Sequence, residues 1–497
     1  MKKISYVIFS FLLSSSANSQ TFQNFISRVT NAPQAQRDAL VDSFMAANPV
    51  LPLRENDMAH FIYRGTATRV NVPGDANGWN ANAFAMIKLS TTNLWYHSRP
   101  FESDARLDYK FVVNGSNWIL DPRNPHQVSG GFGPNSELRM PDYVPPPEIQ
   151  FYAGIPHGSL RDTSFFSVNL NNARTIRVYT PPDYAASSER YPVVLFHDGL
   201  EFISLAQANN VIDYLISQNR IAPIIAVFVP PVNRSEEYAT NLLHPFTAFI
   251  ITEVMPWLDR RYRTRIDPAS RAVLGSSNGG NISLWLGYAH PEIFGNVAAL
   301  SSNVESYISS GFQNSPKLNL KFCLDMGTYD IAILITRMNN FLPILQAKGY
   351  VYQYLEFHEG HSWGNWRAHI DNALEMFFPG SASSVNEHAE ILPQQFGLHQ
   401  NYPNPFNRST DPAGAGRSST TTIVYELAQA SPVNLAIYNI QGQLVQTLFE
   451  GMQSAGRHAA VWDGRNIRGE MQASGVYFYR LQTNGRVVEM RRMILLR

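Results

Sequence analysis

The feature that most constrains the fold of this 497-residue chain is the sequence Gly-Ser-Ser-Asn-Gly at residues 275–279. It stands between an apolar run at residues 271–274 and a helix-like stretch that begins near Gly280. This is the strand, turn and helix context that gives a G-x-S-x-G motif its meaning. Glycines two residues either side of the serine let a sharp turn close against its neighbours. Ser277 is therefore a candidate nucleophile.

A serine on such a turn needs a base, and the base needs a carboxylate that keeps it in one tautomer. The expected order along the chain is serine, acid, histidine. A strand-like run at residues 321–326 leads into a loop with Asp330, and another at residues 351–357 leads into a loop with His361. Both candidates follow the carboxyl end of a strand, where open α/β sheets build their sites.

Each of these two positions has a competitor nearby. Asp325 lies inside its strand, where an unpaired carboxylate would be costly to bury, which favours Asp330 as the acid. His358 closes its strand, whereas His361 follows a glycine that can reverse the chain and return the imidazole toward the serine. We therefore predict that Ser277, His361 and Asp330 act together.

Seven sequence blocks carry a resemblance that covers about residues 155–378. They are residues 155–158, 177–184, 191–200, 233–238, 275–279, 327–330 and 360–363. In this order they resemble the esterase family of α/β-hydrolases that holds enterochelin esterases, feruloyl and acetylxylan esterases, esterase D and the mycolyltransferases. By motif position the resemblance implies Ser277 as nucleophile, Asp330 as acid and His361 as base.

The oxyanion hole of this fold takes one donor from the amide after the nucleophile and another from the loop after an early strand. The first donor is the amide of Asn278. The early strand is the apolar run at residues 193–196, and its loop is residues 197–200. Family resemblance points to the amide of Leu200 as the second donor, with Gly199 as the alternative.

Three further residues are candidates for the substrate cleft. Arg234 and Glu237 occupy a loop that is typical of the family, but an arginine and a glutamate three apart at a helix start also form local ion pairs. Trp363 flanks the predicted base and would suit an aromatic acyl group such as feruloyl, or it is a packing residue. Because no cluster of ligating residues has metal-ligand spacing, we expect neither a metal nor an organic cofactor.

Composition is typical of a globular, modular protein. The length suggests about three domains, and 44% of the residues are hydrophobic while 16% are charged. With 39 basic and 39 acidic residues the formal net charge is zero, which argues against a nucleic-acid partner. Cys323 is the only cysteine, so an intramolecular disulfide is impossible.

The amino terminus is typical of a secretory signal peptide. Two lysines precede an apolar run from Ile4 to Leu13, and small and polar residues follow. We expect cleavage near Ala17 or Ser19 and assign residues 1–19 to the signal peptide. The apolar run is too short to span a bilayer, and no other stretch is typical of a transmembrane segment.

Residues 20–145 begin with a helical pattern and then change to short strands separated by turns, which predicts a β-sandwich with an N-terminal helix. This region resembles the glycogen-binding, early-set immunoglobulin-like modules that precede the esterase in several members of the family. A tryptophan with one exposed face can stack on a sugar ring, although such residues also pack in cores and domain interfaces. The positions that correspond to the module's sugar contacts are Trp79, Lys110, Trp118 and Asn135.

The C-terminal region is set apart by a linker composition at residues 381–396. Residues 397–497 alternate as half-buried strands do. They resemble the C-terminal sorting domain of the type IX secretion system, a small β-sandwich, from which they depart by an insertion at residues 411–419. The resemblance implies export across an outer membrane, with attachment to the cell surface or release; a generic appended immunoglobulin-like module is the alternative.

The predicted architecture is an α/β-hydrolase domain at residues 146–380 between two immunoglobulin-like β-sandwiches. We predict a secreted serine esterase that forms an acyl-enzyme and acts on acyl or feruloyl esters of plant polysaccharides. The alternatives are a siderophore esterase of the enterochelin type, an acyltransferase, and a surface glycan-binding protein with an inactive hydrolase domain. The expected partners are the ester substrate and the secretion machinery.

Overall fold

The computed structural model describes residues 21–131, 133–380, 396–401, 404, 406–407, 420–453 and 456–496. The predicted signal peptide at residues 1–19 and the insertion at residues 411–419 lie outside the described residues, as does nearly all of the predicted linker. The chain divides into two compact units, Met1–Ser383 and Ser384–Arg497. Among the described residues, no helix is both long enough and apolar enough to cross a membrane.

The N-terminal part of the first unit has two helices followed by short strands. Helix α1 is amphipathic because its apolar residues recur every three or four positions and all face the core. The helices are α1 (Phe22–Asn31) and α2 (Gln34–Ala47). The strands are β1 (Leu53–Glu55), β2 (Met58–Arg64), β3 (Val70–Asn71), β4 (Ile87–Lys88), β5 (Leu94–Pro100), β6 (Arg106–Tyr109), β7 (Phe111–Val113), β8 (Asn117–Ile119), β9 (Gln127–Gly130) and β10 (Gly133–Arg139).

The buried side chains of these strands lie in two hydrophobic clusters, and the strands themselves lie in three sheets. One sheet has the order β1-β2-β5-β4 and another the order β3-β7-β8. Strands β6, β10 and β9 instead continue the large central sheet, where Arg106 pairs with Glu359. A free sheet edge exposes unpaired backbone groups, so this addition covers an edge of the central sheet.

The central part of the first unit is a mixed sheet with helices on both faces. Its order is β11-β12-β14-β13-β15-β16-β17-β18, and the strands from β14 to β18 are parallel. The strands are β11 (Ser159–Ser167), β12 (Asn172–Thr180), β13 (Val193–His197), β14 (Ile225–Val229), β15 (Arg271–Ser276), β16 (Asn296–Leu300), β17 (Lys321–Tyr329) and β18 (Val351–Gly360). The helices are α3 (Gly199–Ser204), α4 (Ala208–Ser217), α5 (Arg234–Ala239), α6 (Leu243–Ala248), α7 (Met255–Arg261), α8 (Asn278–Ala289), α9 (Ser306–Asn314), α10 (Ala332–Ala347) and α11 (Trp363–Phe377).

Strand β13 shows why these apolar runs form buried parallel strands. Val193 and Leu195 belong to the hydrophobic core on one face of the sheet, while Val194 and Phe196 belong to the core on the other. Successive side chains of a strand point to opposite faces, so a strand covered on both sides must be apolar throughout. The hydrophobic residues of β13 are therefore consecutive in the sequence and do not alternate with polar ones.

The second unit is a β-sandwich around its own core. One sheet has the order β19-β21-β24 and the other the order β20-β26-β25-β22-β23. Strand β21 alternates between buried and half-buried residues, as the sequence pattern predicted. The strands are β19 (Gly397–Leu398), β20 (Phe406–Asn407), β21 (Thr421–Leu427), β22 (Ser431–Tyr438), β23 (Leu444–Gln453), β24 (Gly456–Trp462), β25 (Gly475–Thr483) and β26 (Arg486–Leu496).

Candidate active site

Ser277 lies at the sharp turn between β15 and α8. Its backbone has φ 56° and ψ −121°, a conformation that costs a residue with a side chain about 1–3 kcal/mol. Neighbouring strands and loops hold the turn in place. The amide of Ser277 donates to the carbonyl of Leu300 at 2.8 Å, and its carbonyl accepts from the amide of Asn303 at 3.1 Å. The position of the hydroxyl is thus set by the backbone.

Both glycines of the motif are required by close packing. A Cβ atom built on Gly275 would lie 2.3 Å from the carbonyl oxygen of Gly279. A Cβ atom on Gly279 would lie 2.9 Å from Oδ2 of Asp198. A side chain at position 275 would meet backbone and force the turn open, while one at position 279 would displace the carboxylate of Asp198.

Ser277, His361 and Asp330 are joined by hydrogen bonds. Nε2 of His361 lies 3.0 Å from Oγ of Ser277, and its Nδ1 lies 2.8 Å from Oδ1 of Asp330. Because an ionised carboxylate can only accept, Nδ1 carries the hydrogen and Nε2 is free to take the proton of Ser277. The register that pairs Tyr329 with Gly360 sets the two loops side by side.

The two competing residues lie in other surroundings. The Asp325 carboxylate accepts from the amide of Ser301 at 2.9 Å, and burial raises the pKa of Asp325 to about 7. Nδ1 of His358 lies 2.6 Å from Oδ1 of Asp104. Neither side chain is hydrogen-bonded to Ser277 in the described contacts, so the serine is joined to His361 alone of the two histidines.

The amides of Asn278 and Leu200 both lie at helix starts. Asn278 is the first residue of α8 and Leu200 is the second residue of α3. Amides in the first turn of a helix have no partner within that helix, so they are available to a bound oxygen. The approach of Gly279 to Asp198, the residue before α3, brings the two helix starts together.

Arg234 holds the loop that precedes α3. Its guanidinium donates to both carboxylate oxygens of Asp198 at 2.7 Å and to the carbonyl of Ser276 at 3.1 Å. It therefore ties the loop after β13 to the turn after β15. Asp198 has φ 58°, a left-handed conformation that aspartate tolerates better than most residues. The pair Asp198-Gly199 is the sequence signal for this bend.

The expectation that Glu237 lines the substrate cleft is wrong. Its carboxylate is fully buried and accepts from both terminal nitrogens of Arg174, at 2.8 and 3.0 Å. It does not pair with Arg234 either, because Arg234 points to Asp198 on the other side. Glu237 instead anchors β12 to α5.

A cavity of about 1080 Å³ opens at Ser277. Arg234 and Trp363 lie on its wall, together with Trp366. The ring centroid of Trp366 lies 5.0 Å from that of His361 and 5.0 Å from that of Trp363, and both pairs of rings are nearly perpendicular. Trp363 is only 7% exposed, so it presents a small part of its ring to the cavity and packs with the rest.

The opposite wall of this cavity belongs to the N-terminal part of the chain. All four predicted sugar-contact positions lie on it, namely Trp79, Lys110, Trp118 and Asn135. Trp118 is the most open, with 43% of its surface exposed. The structure thus brings these residues and Ser277 to one cavity.

Two carboxylates on this wall were missed by the sequence analysis. Asp75 accepts from the indole nitrogen of Trp79 at 3.0 Å, and Asp108 accepts from the amide of Asn135 at 2.9 Å. Burial, and then the nearby Asp108, raises the pKa of Asp75 to about 8. Asp75 and Asp108 meet although they lie 33 positions apart, so no spacing in the sequence indicates that they do. Within the described ranges, no group of three His, Cys, Asp or Glu side chains is arranged to hold a metal ion.

Comparison with known proteins identifies the central region. Residues 167–377 match the family described as "Putative esterase". The protein is a carboxylic ester hydrolase. Residues 410–486 match the FlgD Ig-like domain, which confirms an immunoglobulin-like module in the C-terminal unit. The more specific type IX sorting domain stays a prediction.

Relatives of this hydrolase align with less than half of its chain. It is 26% identical over 236 residues to the uncharacterised protein YjcH of Bacillus subtilis, an alignment that covers 44% of this chain and 97% of that protein. It is 28% identical over 175 residues to an endo-1,4-beta-xylanase/feruloyl esterase of Xylanibacter ruminicola, covering 32% of this chain and 24% of that protein.

Solved structures show the same fold over a larger share of the hydrolase. The ferric enterobactin esterase of Salmonella typhimurium superposes with a TM-score of 0.59 at 18% identity, covering 68% of this chain and 98% of that one. The enterobactin esterase of Shigella flexneri gives a TM-score of 0.58 at 19% identity, with coverage of 68% and 97%. At such identities the likeness concerns the fold.

Proposed function

We propose that the hydrolase uses a serine mechanism in which Ser277 is the nucleophile, His361 the base and Asp330 the acid. The hydrogen-bonded chain of these three side chains carries the proposal. As the Ser277 hydroxyl attacks an ester carbonyl, its proton passes to Nε2 of His361. Asp330 keeps the ring in the required tautomer and stabilises the imidazolium that forms.

The negative charge that develops on the carbonyl oxygen needs donors that are already in place. The amides of Asn278 and Leu200 supply them at the starts of α8 and α3. His361 then returns the proton to the leaving alcohol, which leaves an acyl group on Ser277. Water activated by the same histidine releases the acid and restores the hydroxyl.

The substrates we propose are acyl or feruloyl esters of plant polysaccharides. A cavity of about 1080 Å³ is larger than a simple acyl group requires, and its two walls differ in chemistry. Trp366 packs against His361, and Trp363 packs against Trp366, so both rings lie on the wall where the acyl group would bind. Trp79 and Trp118 stand on the opposite wall, where an apolar sugar face can stack on an aromatic ring. The xylanase/feruloyl esterase relative supports the same class.

A siderophore ester is the second candidate, and the fold of the enterobactin esterases favours it. Charge argues against it. The cavity wall carries the basic side chains Lys110 and Arg234, but Arg234 is already paired with Asp198. The acidic side chains Asp108, Glu201 and Asp330 also line the cavity, which suits a neutral ligand better than a multiply charged anion. An acyltransferase would use the same residues, with an alcohol in place of water.

We also propose that the hydrolase is exported. The charged and apolar start of the chain supports residues 1–19 as a signal peptide. Residues 20–145 would form the sugar-binding side of the cavity and residues 146–380 the catalytic domain. Residues 381–396 would be a linker to a type IX sorting domain at residues 397–497, in line with the immunoglobulin-like match there.

The test is a comparison of initial rates for the wild type, Ser277→Ala and the matched control Ser276→Ala. The substrates are nitrophenyl acetate, methyl ferulate, acetylated xylan and a catechol siderophore ester. We expect Ser277→Ala to lose about 10⁴-fold or more in kcat, while Ser276→Ala keeps most of its activity. Equal rates for Ser277→Ala and wild type would contradict the mechanism. Glycan binding without activity on any ester would favour a binding protein with an inactive hydrolase domain.

A further inference from the structure

Arg106, the first residue of β6, reaches the loop that carries His361. Its side chain is fully buried. Nε donates to Oε1 of Glu137 at 2.6 Å, and Nη2 donates to Oδ1 of Asp108 at 2.5 Å. Nη1 donates to Oγ of Ser362 at 2.9 Å. Two of these partners come from the N-terminal part of the chain, and the third is the neighbour of His361.

The histidine loop is packed directly against these N-terminal side chains. A Cβ atom built on Gly364 would lie 1.8 Å from Nη2 of Arg106. One built on Gly360 would lie 2.1 Å from Cγ of Asp75. The loop from residue 360 to residue 364 therefore cannot move toward the N-terminal part, and glycine at both ends permits the contact.

The hydroxyl of Ser362 bonds to Arg106 and does not cap its own helix. It is the N-cap residue of α11, where a serine hydroxyl commonly accepts from an amide of the first turn. Here the side chain makes no capping hydrogen bond, and its oxygen accepts from Arg106 instead. The carbonyl of Ser362 still accepts from the amides of Asn365 and Trp366 at 3.1 and 3.2 Å. Arg106 thus holds the residue that joins His361 to α11.

The role of this contact is geometric rather than electrostatic. The carboxylates of Asp108 and Glu137 compensate the charge of Arg106. A third carboxylate, that of Glu359, has its Oε2 at 3.8 Å from Nη1. A cation paired in this way adds little net field at Ser277. Its rigid fork instead fixes direction, because the guanidinium is held on two other sides.

We propose that Arg106 is a positioning residue, which acts through Ser362 to hold His361 at the distance from Ser277 that proton transfer needs. The inference rests on the proposed serine mechanism. It assigns to the N-terminal part a role in the rate of the chemical step that is separate from any contact with substrate. A small displacement of a base is costly, since a shift of about 1 Å can lower a rate about 100-fold.

Four variants test this inference: Ser362→Ala, Ser362→Thr, Arg106→Lys and the double variant Ser362→Ala/Arg106→Lys. Two rates are measured, inactivation by a fluorophosphonate and turnover of nitrophenyl acetate. We expect Ser362→Ala to lower kcat and the inactivation rate by about 10-fold, with KM changed less than about twofold. Ser362→Thr keeps the hydroxyl and should stay within about threefold of wild type. Because Arg106→Lys already removes the hydrogen bond to Ser362, the double variant should be no slower than Arg106→Lys.

Arg139→Lys is the matched control, since Arg139 donates to the other oxygen of Glu137 at 2.8 Å. It should leave both rates unchanged. Wild-type rates for folded Ser362→Ala, or multiplied losses in the double variant, would overturn the inference alone. If Arg106→Lys fails to fold in a thermal melt, the Ser362 pair decides. A wild type that neither reacts with the fluorophosphonate nor turns over the ester would overturn the proposed mechanism and this inference with it.

Discussion

The two walls of the cavity are built in different ways. On one wall, Ser277, Asp330 and His361 each follow a strand of the parallel sheet, so the sheet itself aligns them. On the other wall, residues such as Trp79 and Trp118 come from separate turns and strands of the N-terminal part. The first wall has a recognisable sequence motif because each residue stands at a fixed place relative to a strand. The second wall exists only where the two parts of the chain meet.

A similar contrast holds for Arg234 and Glu237 at the start of α5. Arg234 is partly exposed and joins the loop of Asp198 to the turn of Ser276. Glu237 is fully buried and joins α5 to Arg174. Three positions apart on one helix, they serve different purposes because they face different neighbours. The first pair supports the site, and the second supports the fold.

The largest effect on the rate is expected for Asp330, the carboxylate that is hydrogen-bonded to His361. Asp330→Asn should lower kcat by about 10⁴-fold, because an amide cannot hold the imidazole in the same tautomer. Asp104→Asn is the matched control, since Asp104 makes a similar contact with the competing histidine, His358 of β18, at 2.6 Å. Steady-state rates of the two folded variants check this. A comparable loss in Asp104→Asn would mean that the assignment of the base is wrong.

The next prediction separates the two residues of α5. Glu237→Gln should lower the free energy of unfolding by about 3–5 kcal/mol, because Arg174 is left buried beside a neutral group. The folded enzyme should keep its kcat. Arg234→Met should instead lower kcat by about 10- to 100-fold, because the loop that carries the amide of Leu200 loses its tie to Ser276. Urea unfolding measures the stability of each variant, and initial rates measure its kcat. Equal losses of kcat in the two variants would show that Arg234 and Glu237 do not differ in this way.

A smaller effect is expected on the wall of the N-terminal part. Trp118→Ala should raise KM for a polysaccharide ester by about tenfold, because an exposed aromatic platform is lost. Nitrophenyl acetate, which has no sugar, should be hydrolysed as by the wild type. Phe166→Ala serves as the control, since Phe166 is 59% exposed and lies in β11. An unchanged KM for the polymer would assign Trp118 to packing.

The last prediction concerns the pH dependence of stability. The pKa of Asp75 is raised from 3.8 to about 8 by burial, and next by Asp108. The folded protein keeps this proton where the unfolded chain has lost it. The resulting stabilisation is complete below pH of about 4 and is lost as the pH rises through about 8, at no more than about 1.4 kcal/mol per pH unit.

Asp75→Asn should flatten this decline in stability between pH 5 and pH 9, whatever it does to stability at pH 5. Asp142→Asn, a change at an exposed carboxylate, should leave the decline as it is in the wild type. Chemical unfolding across this pH range measures both. A wild type whose stability does not fall over the range would show that Asp75 is ionised in the folded protein.

Much of the site was predictable because its signals are local. The turn at Ser277 needs glycine at positions 275 and 279, and each of the other two residues follows an apolar run that ends in a loop. Choosing His361 over His358 also rested on a local cue, the glycine before it. The position of Trp363 on the cavity wall follows from the same loop.

Other features could not be predicted because their partners are distant in the chain. Arg106 meets Ser362 across 256 positions, and Arg174 meets Glu237 across 63. The pairing of Arg106 with Glu359 continues the central sheet into the N-terminal part. No periodic pattern in the sequence predicts this pairing. For this reason the sequence predicted a β-sandwich at residues 20–145 but not the strands that this part shares with the central sheet.

The sequence by itself determined the strands, the turn of Ser277 and the order of the three residues around it. These follow from backbone geometry and apolar patterning, which act over a few residues at a time. The tertiary structure alone decided which charges pair, that Glu237 is buried away from the cleft, and that the two walls enclose one cavity. Those outcomes depend on which surfaces remain to be covered once the sheet has formed, and that is a property of the whole chain.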